Sequence, residues 1–248
     1  MCQSPQLYSF RDRPWLGLML GNSRRHWAKL WGQTLLGTWD EDNTDPLPAL
    51  KDDLPLIVAS VVCETTQYWT RFPQTRVLTL ADIPLKGMYS TLGIDRALAV
   101  LGAGTRYGWP ILVIDAGTAL TFTVADAHQK LVGGAILPGL GLQRSCLAHK
   151  TAALPRIEFP PELPPRWATE TPGAIQSGII YTLLAGMRDF IEAWQKQYPQ
   201  GAMVITGGDH NLLLSYFTEE FPDKSIHPVA DSDLIFRGMV ALITEPDG

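Results

Sequence analysis

Cysteine is scarce in this sequence. The three present, Cys2, Cys63 and Cys146, are odd in number and their spacing fits no metal site. Such usage argues against a disulfide framework and suits a reducing compartment, the cytoplasm. Charge is also thin, at 18% of residues with a net −5, and basic residues are scattered apart from pairs such as Arg24-Arg25. A nucleic-acid binder would carry a basic stripe, so no nucleic-acid partner is expected. No apolar run reaches the roughly 18–20 residues of a membrane span. Residues 1–13 are too polar for a secretory signal, so no membrane association is expected. Also missing are a G-x-x-x-x-G-K-[ST] loop and a G-x-G-x-x-G turn after a strand, which removes the two commonest nucleotide-binding fingerprints. What is present is 46% hydrophobic over 248 residues, enough for one large domain or two modest ones sharing a cleft.

The hydrophobic pattern begins with strands at 15–20, about 25–31 and about 34–38, followed by an acidic, proline-containing loop at 39–55. A buried strand Leu56–Val62, a helix 64–72, a strand 76–80 and a helix 93–106 complete the first series. The pattern then restarts with strands Ile111–Ile114, Leu120–Ala125 and Leu131–Leu137 and a helix 139–150. A proline-rich passage, Leu154–Pro165, leads to a long helix 171–198, a strand Ala202–Thr206, a helix 209–217 and a last helix 232–243. Three antiparallel strands followed by alternating helices and strands, seen twice, predict an internal duplication in an α/β protein. Leu18-Met19-Leu20-Gly21-Asn22-Ser23 aligns with Ile114-Asp115-Ala116-Gly117-Thr118-Ala119. Each half thus presents a glycine and a small polar residue at a hairpin, where backbone N–H groups can meet phosphate oxygens.

Three segments carry chemistry. In Val113–Thr121 a lone carboxylate, Asp115, ends a buried strand, where a cation is its natural partner and Thr118 can reach a phosphate. The plainer account has Asp115 capping its own turn. In Val204-Ile205-Thr206-Gly207-Gly208-Asp209 a buried strand ends in two glycines that let the backbone lie against a base or ribose. Gly93-Ile94-Asp95-Arg96 opens a helix. There Asp95 either simply complements the helix dipole or accepts a proton from a substrate hydroxyl while Arg96 grips an anion.

Taken in order and spacing, Gly93-x-Asp-Arg, Asp115-x-Gly-Thr-Ala-x-Thr, Gly133-Gly-x-Ile-x-Pro-Gly139 and Thr206-Gly-Gly resemble the type III pantothenate kinases from about Gly17 onward. The resemblance implies two duplicated ribonuclease H-like (actin-like ATPase) domains around a nucleotide cleft, at 14–108 and 109–248. It also implies ATP-dependent phosphorylation of pantothenate, the first step of coenzyme A synthesis, in a homodimer needing a monovalent cation, K+ or NH4+. Asp95 would be the catalytic base, and Gly93, Ile94, Asp95 and Arg96 would contact pantothenate, with Thr171 reaching it across the dimer. Asp115 would bind the monovalent cation, Thr118 an ATP phosphate, and Gly207 and Gly208 the adenosine. Tyr89 is either the family's substrate-facing tyrosine, displaced along the chain, or a core aromatic.

The first hairpin departs from the family pattern. The family's Asp-x-Gly-Asn-Thr/Ser-x-x-Lys reads Met19-Leu20-Gly21-Asn22-Ser23-Arg24-Arg25-His26 here. Gly21, Asn22 and Ser23 still offer an ATP-phosphate turn, but Met19 stands where an aspartate would meet ATP-bound Mg2+, and His26 replaces the lysine. Strand alternation allows only one of Arg24 and Arg25 to face the nucleotide. Two rival readings follow: a kinase of the same fold for another alcohol, or a nucleotide-binding regulator with lost or weak catalysis. In the helix 171–198, Ile175, Ile179, Leu183, Met187, Phe190 and Trp194 form an apolar stripe, while Gly178, Thr182 and Gly186 form a strip of small residues. That strip is expected either to pack on the protein's own sheet or to pair helices in a dimer, and the resemblance favours the dimer. His128, His149, His210 and His227 are assigned no chemistry.

Overall fold

The computed structural model describes residues 10–46 and 54–244. Most of the leading extension and part of the proline-containing loop therefore lie outside the described residues. The chain divides into two compact units. One comprises the chain up to Tyr107, the short segment Gln129–Leu131 and the residues from Asp233 onward; the other comprises Gly108–His128 and Val132–Ser232.

The first unit is built on a five-stranded sheet. Its strands are β1 (Pro14–Leu20), β2 (Arg24–Trp31), β3 (Thr34–Asp42), β4 (Leu56–Ser60) and β5 (Thr75–Val77), in the order β3-β2-β1-β4-β5. β1 runs antiparallel to β2 and parallel to β4. On one face Leu16, Leu18, Leu20, Trp27, Leu56 and Val58 gather around Trp69 of helix α1 (Cys63–Trp69). Trp27 stacks on Trp39 at 5.8 Å and meets Trp69 edge-on at 5.2 Å. Such aromatic pairs each add about 0.5–1.5 kcal/mol beyond the area they bury.

The acidic residues expected in a loop instead extend β3 to Asp42. Asp40, Glu41 and Asp42 lie opposite His26, Arg25 and Arg24, so opposite charges across the ladder hold the hairpin together. On the other face, helices α2 (Ile94–Tyr107) and α6 (Leu234–Thr244) pack closely together. The approach depends on glycine. A Cβ on Gly102 would strike the Leu234 carbonyl and lie 2.7 Å from the Gly238 nitrogen, and one on Gly238 would strike the Leu98 carbonyl.

The second unit repeats the plan with β6 (Ile111–Ala116), β7 (Ala119–Ala125), β8 (Leu131–Pro138), β9 (Ala202–Thr206) and β10 (Val229–Ala230). The sheet order is β10-β9-β6-β7-β8. Read from the other edge, this is the first sheet's order again: third strand, second, first, then the two later parallel strands. Its helices are α3 (Leu140–Lys150), α4 (Thr171–Gln197) and α5 (His210–Glu220). Ile175, Ile179, Leu183, Met187 and Trp194 of α4 enter the core as the periodicity predicts, and Ile191 joins them. Phe190, expected in the stripe, is 41% exposed and stacks at 4.4 Å on Phe122.

Candidate active site

In the second unit, three backbone segments converge on the end of β6. The Gly117 N–H donates to the Ala119 carbonyl at 3.1 Å, the Gly139 N–H to Thr118 at 3.0 Å, and the Asp209 N–H to Ala116 at 2.8 Å. Only glycine fits at two of the crossings. Gly207 has φ +93°, and a Cβ there would strike the Asp115 carboxylate and lie 2.5 Å from the Ala116 carbonyl. A Cβ on Gly139 would strike the Gly117 carbonyl and lie 2.9 Å from that of Thr118. The Thr-Gly-Gly and Pro-Gly segments therefore serve first to let the chain close around the Gly117-Thr118 turn. Thr118 and Gly208 are exposed at its rim. His210 is turned back onto this turn, its Nδ1 2.5 Å from the Gly207 carbonyl.

Asp115 is half-buried and lies in register with Thr121 on β7 and Thr206 on β9, both buried. The Thr121 Oγ1 has no hydrogen-bond partner among the described residues. A buried, unpartnered hydroxyl beside a carboxylate suits a monovalent cation that takes oxygen ligands, so the residues present fit such an ion. Thr121 is a candidate ligand that sequence reasoning did not single out. Its place in the Asp-x-Gly-Thr-Ala-x-Thr motif, directly across the hairpin from Asp115, is the signal that could have found it.

The matching turn in the first unit, Gly21-Asn22-Ser23, is closed by the Gly21 N–H donating to the Arg24 carbonyl at 3.0 Å. Asn43 braces it, its Nδ2 donating to the Gly21 and Asn22 carbonyls at 3.0 Å each. Met19 occupies the position of Asp115 and is 1% exposed. A buried thioether gives no hard oxygen donor, so β1 does not fit magnesium. Of the two arginines, Arg25 points inward at 3% exposure and donates to Glu41 at 3.1 Å. Arg24 points outward, 3.7 Å from Asp40.

The Gly93–Arg96 segment lies in the same unit. Gly93 is needed because a Cβ there would strike the Asp95 carboxylate, which curls back over the helix entrance. The Asp95 Oδ1 accepts the Arg96 N–H at 2.8 Å. Burial holds the Asp95 carboxyl above its ordinary value of 3.8, against the opposing pull of the Arg96 amide and guanidinium. Arg96 is buried, and its Nη1 donates to the Tyr89 hydroxyl at 3.0 Å. Tyr89 is thus no core aromatic: at 45% exposure it stands over the motif, fixed by Arg96. Ile94 is buried beneath. In the second unit Thr171 is exposed at the start of α4, just after Glu170, which caps the helix by accepting the Gly173 N–H at 2.6 Å. Thr171, Gly178 and Thr182 line a groove of about 400 Å³ with Gln143 and Leu147 of α3.

Two sheets of one strand order, each opening on a glycine hairpin, define the actin-like ATPase fold, and solved structures share it. A protein from Campylobacter jejuni named for the Baf family of transcriptional activators superposes with a TM-score of 0.64 at 21% identity, over 92% of this chain and 96% of that one. The activator of the 2-hydroxyisocaproyl-CoA dehydratase from Clostridium difficile does so with a TM-score of 0.52 at 10% identity, over 93% and 92%. Within this fold, the chain belongs to the type III pantothenate kinase family, whose profile matches residues 16–193. The type III pantothenate kinase of Synechocystis sp. is 50% identical over 94% of this chain and 91% of its own length. That of Nostoc sp. is 46% identical over 94% and 95%.

Proposed function

We propose that this protein transfers the γ-phosphoryl group of ATP to the primary hydroxyl of pantothenate, giving phosphopantothenate at the start of coenzyme A synthesis in the cytoplasm. The observation that carries the reading is the Asp95–Arg96–Tyr89 arrangement: a half-buried carboxylate of raised basicity beside a buried guanidinium fixed by a tyrosine hydroxyl. Asp95 takes the hydroxyl proton as the oxygen attacks phosphorus and ADP leaves, and Arg96 holds the pantothenate carboxylate. Gly93, Ile94 and Tyr89 shape the surroundings of that substrate, and Thr171 contributes from a second copy of the chain in a homodimer. Gly21, Asn22, Ser23 and Thr118 offer donors to the phosphates, and Gly207 and Gly208 leave room for adenosine. Asp115 and Thr121 would hold K+ or NH4+, which offsets phosphate charge. Mg2+ enters with ATP and is not positioned from β1.

A coupled ADP-release assay with pantothenate, with and without K+ or NH4+, tests the reading. ADP release that depends on pantothenate is expected. A chain that binds ATP yet releases no ADP with any cation would favour a nucleotide-binding regulator, the alternative that the buried Met19 supports.

A further inference from the structure

Within the first unit, Asp40, His26, Met19 and Ala59 lie side by side on four adjacent strands. The register pairs Met19 with His26 and with Ala59, and His26 with Asp40, so the four side chains share one face of the sheet. The Asp40 Oδ1 is 2.7 Å from the His26 Nδ1. The other ring nitrogen is directed at the phosphate-type turn: a Cβ built on Gly21 would lie 3.8 Å from the His26 Nε2. His26 is 36% exposed and Asp40 48%, so a solute can reach both.

We propose that His26, oriented by Asp40, is the cationic ligand through which the Gly21–Ser23 turn holds a nucleotide phosphate. The inference rests on the ATP-dependent reading above and adds a residue to it. With Nδ1–H given to Asp40, an imidazolium has one remaining donor, Nε2–H, and that donor faces the turn. A ring bridging a carboxylate and a phosphate makes charge-assisted hydrogen bonds at both ends.

Met19 belongs to the same device. A carboxylate at that position would lie opposite His26 and compete with phosphate for Nε2–H, whereas a thioether does not. Among the described residues of these strands and their connections, the charge facing the ring is otherwise sparse. β3 contributes Asp40 and Asp42, and the latter already accepts the Thr44 N–H and hydroxyl. β2 contributes Arg24, 3.7 Å from Asp40, while β1 and β4 present only Met19 and Ala59. Asn43 is neutral and occupied with the turn, Asp45 accepts the Asp42 N–H, and the Arg25–Glu41 pair lies on the opposite face.

Because only the protonated ring can bridge the two anions, nucleotide binding draws a proton wherever the free ring is neutral. Affinity for Mg·ATP therefore weakens as pH rises through the range in which histidines titrate, roughly pH 5 to 8. The experiment measures binding of the Mg complex of β,γ-imido-ATP by calorimetry at about pH 6 and about pH 8, in the wild type and in the His26→Gln, His26→Lys and Asp40→Asn proteins. The wild type should bind up to about tenfold more tightly per pH unit on the acid side. His26→Gln should lose that advantage, and His26→Lys should bind tightly at both values, leaving only the pH dependence of the nucleotide itself. Asp40→Asn should fall between wild type and His26→Gln.

A wild-type pH dependence no steeper than that of His26→Lys, or a His26→Gln protein that binds like wild type at both pH values, overturns the proposal. Should His26→Gln fold poorly by thermal melt, the lysine comparison decides alone. Pantothenate turnover, assayed in parallel, separates the two readings. The expected pH-dependent binding without pantothenate-dependent ADP release supports the His26 assignment and sinks the substrate assignment. Turnover with pH-independent binding does the reverse.

Discussion

In the role proposed for it, Asp95 would serve chemistry at the expense of the fold. Its carboxyl is held above the ordinary value of 3.8 mainly because burial disfavours the charge. The fold thus prefers the protonated form, and the stability this gives is complete below about 3.8 and is lost as pH rises through the higher folded value. Once ionised, as the proposed proton acceptor must be, the group is a burden on the fold. Asp95→Asn keeps an oxygen for the Arg96 N–H but cannot accept a proton. Turnover should fall by about 10²- to 10⁴-fold, while the melting temperature at neutral pH should rise. Steady-state kinetics with calorimetric melting checks both, and a folded variant within a few-fold of wild-type turnover removes Asp95 as the base. At Asp115 the test is different in kind. Asp115→Ala should flatten the dependence of rate on K+ or NH4+, and an activation curve like the wild type's would put the cation elsewhere.

Among the elements, the two hairpins and their matched sheets were legible because a strand pattern, a glycine and a small polar residue recur together in both halves. The Asp40–Asp42 end of β3 was not legible. Acidic residues read as loop when considered alone, and only their register against Arg24, Arg25 and His26 makes them strand. The candidate site was legible where a motif is contiguous, as at Gly93–Arg96. It was obscure where partners meet across strands, as with Thr121, Asn43 and Asp40.

The crossing of α2 and α6 was equally hidden, since Gly102 and Gly238 are far apart in sequence and ordinary in isolation. Gly238→Ala places a methyl group against the Leu98 carbonyl, with its Cβ 2.8 Å from the carbonyl carbon. Backbone cannot yield as a side-chain tip can, so the cost should be about 1–3 kcal/mol or somewhat more. Gly141→Ala in α3 is the control. Nothing lies within 4 Å of its Cβ, so it should leave stability unchanged or raise it by about 0.5–1 kcal/mol. Urea unfolding of the two variants against wild type reads the difference.

At the scale of the whole molecule, the proposed homodimer, with Thr171 of a second copy reaching the substrate, rests on the exposed small residues Gly178 and Thr182 that share a groove with Thr171. Light scattering should give about twice the 27.4 kDa chain mass, and an active species at the mass of a single chain would exclude it. The placement of α6 bears on how the protein is made. The strands of the first unit are complete by Val77, yet one of the two helices on the second face of their sheet begins only at Leu234. On the ribosome, the unit synthesised first should therefore wait, with the α6-facing surface of α2 and β1 open to solvent and to chaperones, until nearly all of the second has emerged. A message truncated just before residue 234 would leave the later unit its full set of strands and deprive the earlier one of half of the helix pair on that face.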